Sequence, residues 1–287
     1  MKTIMITGIN GFLGSYLAKR LIHDYHVIGL GNSTNNSYRI KDLDIKIYSS
    51  QTCNLEDIFV NEDIHSVIHT ATNYRRNNEP IKNVLESNVV LPAVLFSFCE
   101  KYGVDSFLNT DSFINNTNKK EYKYLQDYAL SKKHALEWLK LQQRRCKLIN
   151  MLIFHLYGPE DAMSKFVPQI MDQLVKNEDI DLTPGEQTRD FIYIDDVANA
   201  YKTVLSIQSG DQSFQEFDVG TGKSMTIKKF VETAKNVTGS KSALNWGALP
   251  YRENEIMKSE ANTELLRNLG WTPNFELEEG ILKMMNQ

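Results

Sequence analysis

This sequence has few cysteines, and its histidines are not grouped. Of its 287 residues, three are cysteine (Cys53, Cys99 and Cys146) and six are histidine, scattered along the chain. Three is an odd number, and the spacing does not suit a metal ligand set. A disulfide framework and a metal site are therefore both disfavoured, and we expect buried reduced thiols in a cytoplasmic protein.

The sequence also lacks an excess of positive charge. Lysine and arginine total 32, against 36 aspartates and glutamates, which gives a net charge of -4. The charges are dispersed rather than grouped in blocks, so there is no basic footprint of the kind that binds nucleic acid. We expect no nucleic-acid partner, and any anion-binding site must be local.

Long apolar runs are scarce as well. The opening MKTIMITG is too short an apolar stretch for a signal peptide. The longest run, VVLPAVLFSFC from Val89, is interrupted by Pro92 and is shorter than a membrane span. We therefore expect a cytoplasmic protein of one large or two modest domains, with no membrane partner.

The first 31 residues alternate between strand and helix patterns. TIMIT (3–7) is β-rich, SYLAKRLIHD (15–24) has helical spacing, and HVIGLG (26–31) is a second apolar run. This order predicts a βαβ unit.

A glycine-rich turn joins the first of these strands to the helix. Gly8, Gly11 and Gly14 would allow a tight turn, close approach of the backbone to a pyrophosphate, and close helix–strand packing. The sequence therefore predicts a dinucleotide site here, with Phe12 and Leu13 forming part of it.

The alternation continues along the chain. Further strands are predicted at 66–71, 106–110 and 147–154, and helices at 86–101 and 127–145. The fold class is therefore α/β, with a Rossmann-type doubly wound parallel sheet. We expect an NAD(P)-binding domain at 1–158, rejoined by about 188–206, and a smaller α/β substrate-binding domain at 159–287.

Small polar residues end two of the predicted strands. Thr70, Ala71 and Thr72 follow one, and Thr110, Asp111 and Ser112 end the other. Because parallel strands end at the same edge of a sheet, these residues should lie along one crevice.

Tyr128 and Lys132 are four residues apart on the helix that follows, and therefore lie on one face. A nearby ammonium favours the phenolate and would lower the tyrosine pKa toward neutrality, which makes a better acid and base. A Thr110 hydroxyl opposite could bind the same oxygen. An ordinary surface pair is the alternative interpretation.

With these residues the chain resembles, from end to end, the extended short-chain dehydrogenase/reductases that act on nucleotide sugars. Gly8, Gly11 and Gly14 match the cofactor turn of that family. Thr110, Tyr128 and Lys132 match its catalytic residues. Further matching motifs are NVVLP from Asn88, YGP from Tyr157, GEQTRDFIYIDDVANAY, YRENEIM and LGWTPNF.

Within this family, FLNTDSF, GEQTRDFIYIDDV and RENEIMKSEAN are most similar to enzymes that reduce the C4 keto group of CDP-linked dideoxyhexoses. The resemblance implies synthesis of sugars for bacterial surface polysaccharides, such as lipopolysaccharide O-antigen. It also implies a homodimer formed through the Tyr128 helix.

The resemblance implies a role for each catalytic residue. Tyr128 would give a proton to O4 of the sugar, while the nicotinamide gives hydride to C4. Lys132 would hold the nicotinamide ribose, and Thr110 would polarise the carbonyl. Asn88 is the structural asparagine of the family, and we group it with the cofactor site.

The resemblance also implies substrate contacts. Arg189 and Arg252 would bind the pyrophosphate, since the guanidinium fork suits bidentate contact. We group seven further residues with the substrate: Tyr74, Thr110, Asp111, Ser112, His155, Lys165 and Phe166. Asp195 and Asp196 are instead expected to cap a helix N-terminus.

The triplet Thr110, Asp111, Ser112 discriminates among reactions. Related 4,6-dehydratases have Asp and then Glu after the threonine, and a serine hydroxyl cannot replace the glutamate as a base. Dehydration is therefore disfavoured. A C4 epimerase, a reductase of a dTDP- or GDP-linked sugar, and a non-catalytic dinucleotide sensor stay open.

The end of the second strand bears on the cofactor. Gly31, Asn32 and Ser33 occupy the region where an NAD-preferring fold commonly has an acid for the ribose hydroxyls. Arg39 and Lys41 follow, and cations suit a 2'-phosphate. The sequence therefore favours NADPH over NADH.

Overall fold

The structure is a computed structural model that describes residues 1–32, 38–75, 79–116, 125–207 and 213–286. Its strands are β1 Thr3–Thr7, β2 His26–Gly31, β3 Lys46–Ser49, β4 Ile64–His69, β5 Ser106–Ser112, β6 Lys147–Ile153, β7 His155–Tyr157, β8 Ile180–Leu182, β9 Thr188–Arg189, β10 Phe191–Tyr193, β11 Phe214–Val219, β12 Met225–Thr226 and β13 Leu244–Trp246. Its α-helices are α1 Phe12–Leu21, α2 Leu55–Asn61, α3 Ile81–Leu85, α4 Leu91–Tyr102, α5 Gln126–Gln142, α6 Phe166–Lys176, α7 Ile194–Leu205, α8 Ile227–Thr238, α9 Glu264–Asn268 and α10 Leu277–Met285.

Seven strands form one sheet in the order β11-β6-β5-β4-β1-β2-β3. The pairings from β3 across β2, β1 and β4 to β5 are parallel. The strand order reverses between β1 and β4, which is where doubly wound sheets bind their ligands. The predicted doubly wound parallel sheet is confirmed.

Helical structure runs without a break from Ile81 to Tyr102, with a π-helical turn at Glu86–Val90 between α3 and α4. This stretch is 22 residues long, and its length and mean hydropathy of 1.2 would allow it to cross a membrane. Here Leu95, Phe96 and Cys99 are buried in the core with Phe107 of β5. It is therefore a helix packed on the sheet.

The chain divides into two compact units. The first comprises residues 1–116, 125–152 and 206–217, and the second comprises 153–205 and 218–286. The segment at about 188–206, which we expected in the first domain, belongs almost entirely to the second unit. The physical reason is that β10 pairs in parallel with β7, with Phe191 opposite His155.

Buried acids organise the second unit. Asp190 accepts hydrogen bonds from the backbone N–H groups of Thr221, Gly222 and Ala261 at 2.8–3.1 Å. Asp196 accepts from the N–H groups of residues 274 and 275. Asp196 lies in the first turn of α7, as predicted, but its carboxylate binds another segment rather than capping its own helix.

We predict that Gly8→Ala is more destabilising than Gly239→Ala. Both glycines have a φ of +66°, but a Cβ on Gly8 would lie 2.8 Å from the backbone N and Cα of Ala71, whereas one on Gly239 meets nothing within 4 Å. Gly239→Ala should cost only backbone strain of about 1–2 kcal/mol. Gly8→Ala should cost about 2 kcal/mol more, because the chain at Ala71 must move.

The free energy of unfolding in urea measures both losses. Equal losses in the two variants would contradict the tight packing assigned to Gly8.

Candidate active site

The glycine-rich turn has the shape that a dinucleotide phosphate needs. A Cβ on Gly14 would overlap the carbonyl oxygen of Gly8, so helix α1 lies directly against the turn. No side chain caps the start of α1 after Gly11. N–H groups of the first turn can therefore face a pyrophosphate, and this segment, with Phe12 and Leu13, fits such a cofactor.

The residues that follow β4 line the same edge of the sheet. The Thr70 hydroxyl donates to the Thr7 carbonyl at 2.7 Å, and the Ala71 N–H donates to the Thr7 hydroxyl at 3.2 Å. The Thr72 hydroxyl donates to Asn88 at 3.3 Å. These contacts hold residues 70–72 close to the glycine-rich turn, which their predicted role in binding the cofactor requires.

Asn88 joins this backbone to helix α5. Its side-chain oxygen accepts from the Asn73 N–H at 2.7 Å, and its amide donates to the Asn73 carbonyl and to the Ser131 hydroxyl. Ser131 in turn donates to the Tyr128 carbonyl. Asn88 is fully buried, so its observed contacts are structural.

Tyr128 lies in the first turns of α5 and is only 5% exposed. The Tyr74 ring stacks on its ring, with centroids 4.6 Å apart. Burial raises the pKa of Tyr128 well above its usual value, and Tyr74 and Asp111 act in the same direction. The Ser112 hydroxyl acts on this pKa in the opposite direction.

Lys132 is the second member of the predicted pair and is 2% exposed. Its ammonium donates to the Thr110 carbonyl at 2.9 Å. Burial lowers the pKa of Lys132 to about 8, against the favourable charge of Asp111.

The expectation that Lys132 lowers the Tyr128 pKa is wrong for this arrangement. The ammonium binds a backbone carbonyl, and desolvation of the phenol dominates. Tyr128 therefore keeps its proton at neutral pH.

The residues that end β5 differ in their surroundings. Asp111 is 3% exposed and accepts from the Ser112 N–H at 2.7 Å and from the Asn150 amide at 3.1 Å. Thr110 is half-buried, and Ser112 accepts from the Ile114 N–H at 3.4 Å. All three lie beside Tyr128 and Lys132 at the end of one strand, as predicted.

The predicted cofactor residues after β2 are partly described. The Arg39 guanidinium donates to the carbonyl of Asn10 in the glycine-rich turn at 3.3 Å. Asn32 is exposed, and its carbonyl accepts from Ser49 at 3.2 Å. Ser33 lies outside the described residues. The structure therefore brings Arg39 to the glycine turn.

The predicted pyrophosphate arginines belong to the second unit. Arg189 is 8% exposed, pairs with Glu255 at 2.6 Å, and donates to the carbonyls of Thr188 and Ile256. Arg252 is exposed. Arg189 thus fixes the 255–256 segment, and binding of pyrophosphate by either arginine stays a prediction.

Three other predicted substrate residues also lie in the second unit. His155 is half-buried, its backbone N–H donates to the Asp190 carbonyl at 3.0 Å, and desolvation of its ring holds its pKa well below the usual value. Lys165 pairs with Asp161 at 2.8 Å just before α6. Phe166 is 37% exposed and packs on Phe230. Their substrate contacts stay predictions.

A sequence model described as the NAD dependent epimerase/dehydratase family matches residues 4–220. The chain belongs to this family. CDP-abequose synthase of Salmonella muenchen is 36% identical over 293 residues, 99% of this chain and 97% of the relative. The protein of that name from Salmonella typhimurium is 33% identical over 292 residues, with the same shares covered.

Solved structures share the fold at lower identity. UDP-glucose 4-epimerase from Thermotoga maritima superposes with a TM-score of 0.84 and is 23% identical, over 98% of this chain and 96% of that one. UDP-glucuronic acid 4-epimerase from Bacillus cereus superposes with a TM-score of 0.85 and is 19% identical, over 98% of this chain and 97% of that one. The two likenesses establish the fold of this family member.

Two features of this epimerase/dehydratase site were not predicted. Asn150 of β6 holds Asp111, and Tyr74, which we had grouped with the substrate, covers Tyr128. Asn150 did carry a signal, because it is an amide inside the apolar run KLINMLIF, where a polar side chain needs a buried partner. Among the described residues, no group of three or more His, Cys, Asp or Glu could hold a metal ion.

We predict that Lys132→Met stabilises the protein more at pH 7 than at about pH 9.5. The pKa of Lys132 is about 8 in the folded protein and 10.5 as the unperturbed value. Between these values the unfolded chain keeps a proton that the folded protein has released, so the free energy of unfolding rises with pH. Below pH 8 the full cost of the buried charge is present.

The increase in the free energy of unfolding that Lys132→Met produces should therefore shrink by about 2 kcal/mol between pH 7 and about pH 9.5. Urea unfolding of variant and wild type measures it, with the exposed neighbour Lys133→Met as the control that should show no such change. A constant difference at both pH values would mean that Lys132 does not titrate near pH 8.

Proposed function

We propose that this enzyme reduces the C4 keto group of a nucleotide-diphosphate-linked 4-keto-6-deoxy or 3,6-dideoxyhexose, with a CDP-linked sugar favoured and NADPH as the reductant. The reaction would serve synthesis of sugars for bacterial surface polysaccharides in the cytoplasm. Two relatives named CDP-abequose synthase, 36% and 33% identical over nearly the whole chain, support the sugar and the nucleotide.

The arrangement of Tyr128 and Lys132 on α5, beside the end of β5, carries the proposal. Carbonyl reduction needs a proton donor at O4, and the buried phenol of Tyr128 is protonated at neutral pH. Tyr128 therefore suits the role of the proton donor.

Each residue of the site has a place in this reaction. Bound NADPH supplies the hydride to C4. Tyr128 gives its proton to O4, the Thr110 hydroxyl polarises the carbonyl, and Lys132 holds the nicotinamide ribose. We infer that Tyr74, which stacks on Tyr128, and Ser112 meet the sugar.

Dehydration would need a glutamate as a base at position 112, where this chain has a serine. The hydroxyl of Ser112 accepts instead from the Ile114 N–H. Simple reduction needs neither group as a base. The nucleotide would be held by Arg189, Arg252, Lys165 and Phe166, with His155 beside them.

The preference for NADPH rests on Arg39 and Asn32. Arg39 lies against the glycine-rich turn through the Asn10 carbonyl, and no acid follows β2 at Asn32. A guanidinium there suits a 2'-phosphate. We also propose a homodimer.

The experiment that tests the function is a reduction assay. Purified protein is mixed with NADPH, or with NADH, and with CDP- or dTDP-linked 4-keto-6-deoxy or 4-keto-3,6-dideoxyhexoses, and reduced-nicotinamide absorbance is followed. Stoichiometric loss with one sugar supports a ketoreductase and identifies its nucleotide. No loss with any sugar would contradict it and leave the epimerase and the non-catalytic sensor as the alternatives.

We predict that Tyr128→Phe lowers kcat for this reduction by about 100- to 10,000-fold, because the proton donor is removed. Cofactor affinity should change little, since the phenol is not expected to hold the phosphates. Tyr102→Phe is the control, as Tyr102 lies at the end of α4 and bonds to Glu56. Wild-type rates in Tyr128→Phe would exclude Tyr128 as the acid.

We predict that Arg39→Ala weakens NADPH binding by about 10- to 100-fold and changes NADH binding much less, because the lost cation would pair with the 2'-phosphate, which NADH lacks. Fluorescence titration of the two reduced cofactors gives both dissociation constants. Arg20→Ala, an exposed arginine of α1, controls for charge alone. An equal loss for both cofactors would contradict the assignment.

A further inference from the structure

Asp111 is a buried carboxylate near the end of β5 in the first unit. It is 3% exposed, and both of its oxygens have polar partners, Oδ1 with the Ser112 N–H and Oδ2 with the Asn150 amide. A side chain so enclosed is poorly placed for a sugar hydroxyl, which is the role we expected from its sequence position. Its surroundings suggest another task.

A row of side chains across three strands fixes this carboxylate. Asn109 of β5 donates to the Asn150 oxygen at 2.7 Å, and the Asn150 amide donates to Asp111 at 3.1 Å and to Glu216 of β11 at 2.8 Å. Asn109 and Asn150 are fully buried. Asn150 thus uses its oxygen and its amide together, which leaves it one orientation and holds the Asp111 carboxylate in place.

The chain neighbour that precedes Asp111 contacts one of the catalytic groups directly. The carbonyl of Thr110 accepts from the Lys132 ammonium at 2.9 Å. The Asp111 carboxylate therefore belongs to the residue that directly follows the one holding this ammonium.

We propose that Asp111 is a positioning residue, whose carboxylate, fixed by Asn150, holds Lys132 in its ammonium form beside the Thr110 carbonyl. This inference rests on the proposed function. A fixed negative charge favours an ammonium over an amine. The carboxylate thus retains the proton of Lys132, and it does so without contacting the substrate.

The other titratable groups around the site do not supply this charge. His69 of β4 is fully buried, and burial and the charge of Lys132 hold its pKa well below the usual value, so it is neutral. Tyr74 stacks on Tyr128 and opposes its ionisation. Asp127, at the start of α5, forms an ion pair with Arg75 at the surface, so the two charges neutralise each other. Lys133 and His134 of α5 are exposed.

Burial alone would remove the charge of Lys132 near neutral pH. Desolvation lowers its pKa to about 8, and Asp111 is the group that raises it. Without this carboxylate, the titration of Lys132 should move to lower pH by about 1–2 units. A neutral Lys132 would then be the main form under ordinary assay conditions.

The first test titrates Lys132 by nuclear magnetic resonance of protein labelled at the lysine Cε carbons, with Lys132→Met identifying the signal. We expect the Asp111→Asn titration to move down by about 1–2 pH units, and Asp111→Glu, which keeps the charge, to stay closer to wild type. Glu216→Gln, which removes the other carboxylate on Asn150, should leave the titration unchanged. An unchanged titration in Asp111→Asn would overturn the proposal.

The second test is the pH profile of kcat/KM for reduction. In Asp111→Asn the alkaline limb should move to lower pH together with the Lys132 titration, while activity at lower pH is largely retained. A uniform loss at every pH would overturn the proposal and indicate a structural role. If the wild type reduces none of the sugars, the proposed function fails, whereas the Lys132 titration still decides the charge effect.

A third measurement needs no variant and covers the case in which Asp111→Asn fails to fold. Because the interaction is reciprocal, the Asp111 carboxyl carbon of the wild type should change its resonance as Lys132 loses its proton near pH 8. A flat Asp111 signal across this range would overturn the proposal.

Discussion

The site depends on one constraint: Lys132 of α5 is buried against the end of the parallel strand β5. The Lys132 ammonium has little water around it, and it donates to the backbone carbonyl of Thr110. Such a group is tolerated only where its surroundings are neutral or negative. The neutral His69, the protonated Tyr128 and the enclosed Asp111 meet this condition, and each is held by the sheet or by α5.

Much of the first unit could be predicted from the sequence, because its signals are local. Alternating apolar runs gave β1, β2, β5 and β6, and three glycines in a turn marked the cofactor segment. The relation between Tyr128 and Lys132 was predicted only in part. Spacing of four residues places them on one face, but cannot show which acceptor the ammonium chooses or how strongly the phenol is desolvated.

Features that depend on distant partners were beyond the sequence. Asp190 is adjacent to Arg189 in the chain, yet it bonds to backbone groups 31 and 71 residues away. Arg189 likewise pairs with Glu255, 66 residues distant. Both motif residues thus hold the second unit together. A motif identifies residues that matter without showing whether they act on a ligand or on the fold.

The π-helical turn at Glu86–Val90 makes the chain length of this segment part of the site. A π turn accommodates an extra residue in an otherwise α-helical stretch and rotates the side chains on either side of it. Asn88 is thereby fully buried, while Leu85 and Val90 remain 44% and 52% exposed. Removing one residue would restore a regular helix but turn the asparagine away from Asn73 and Ser131. Along this stretch, natural variation should therefore keep the number of residues, and residue types should change freely only at exposed positions such as Leu85 and Val90.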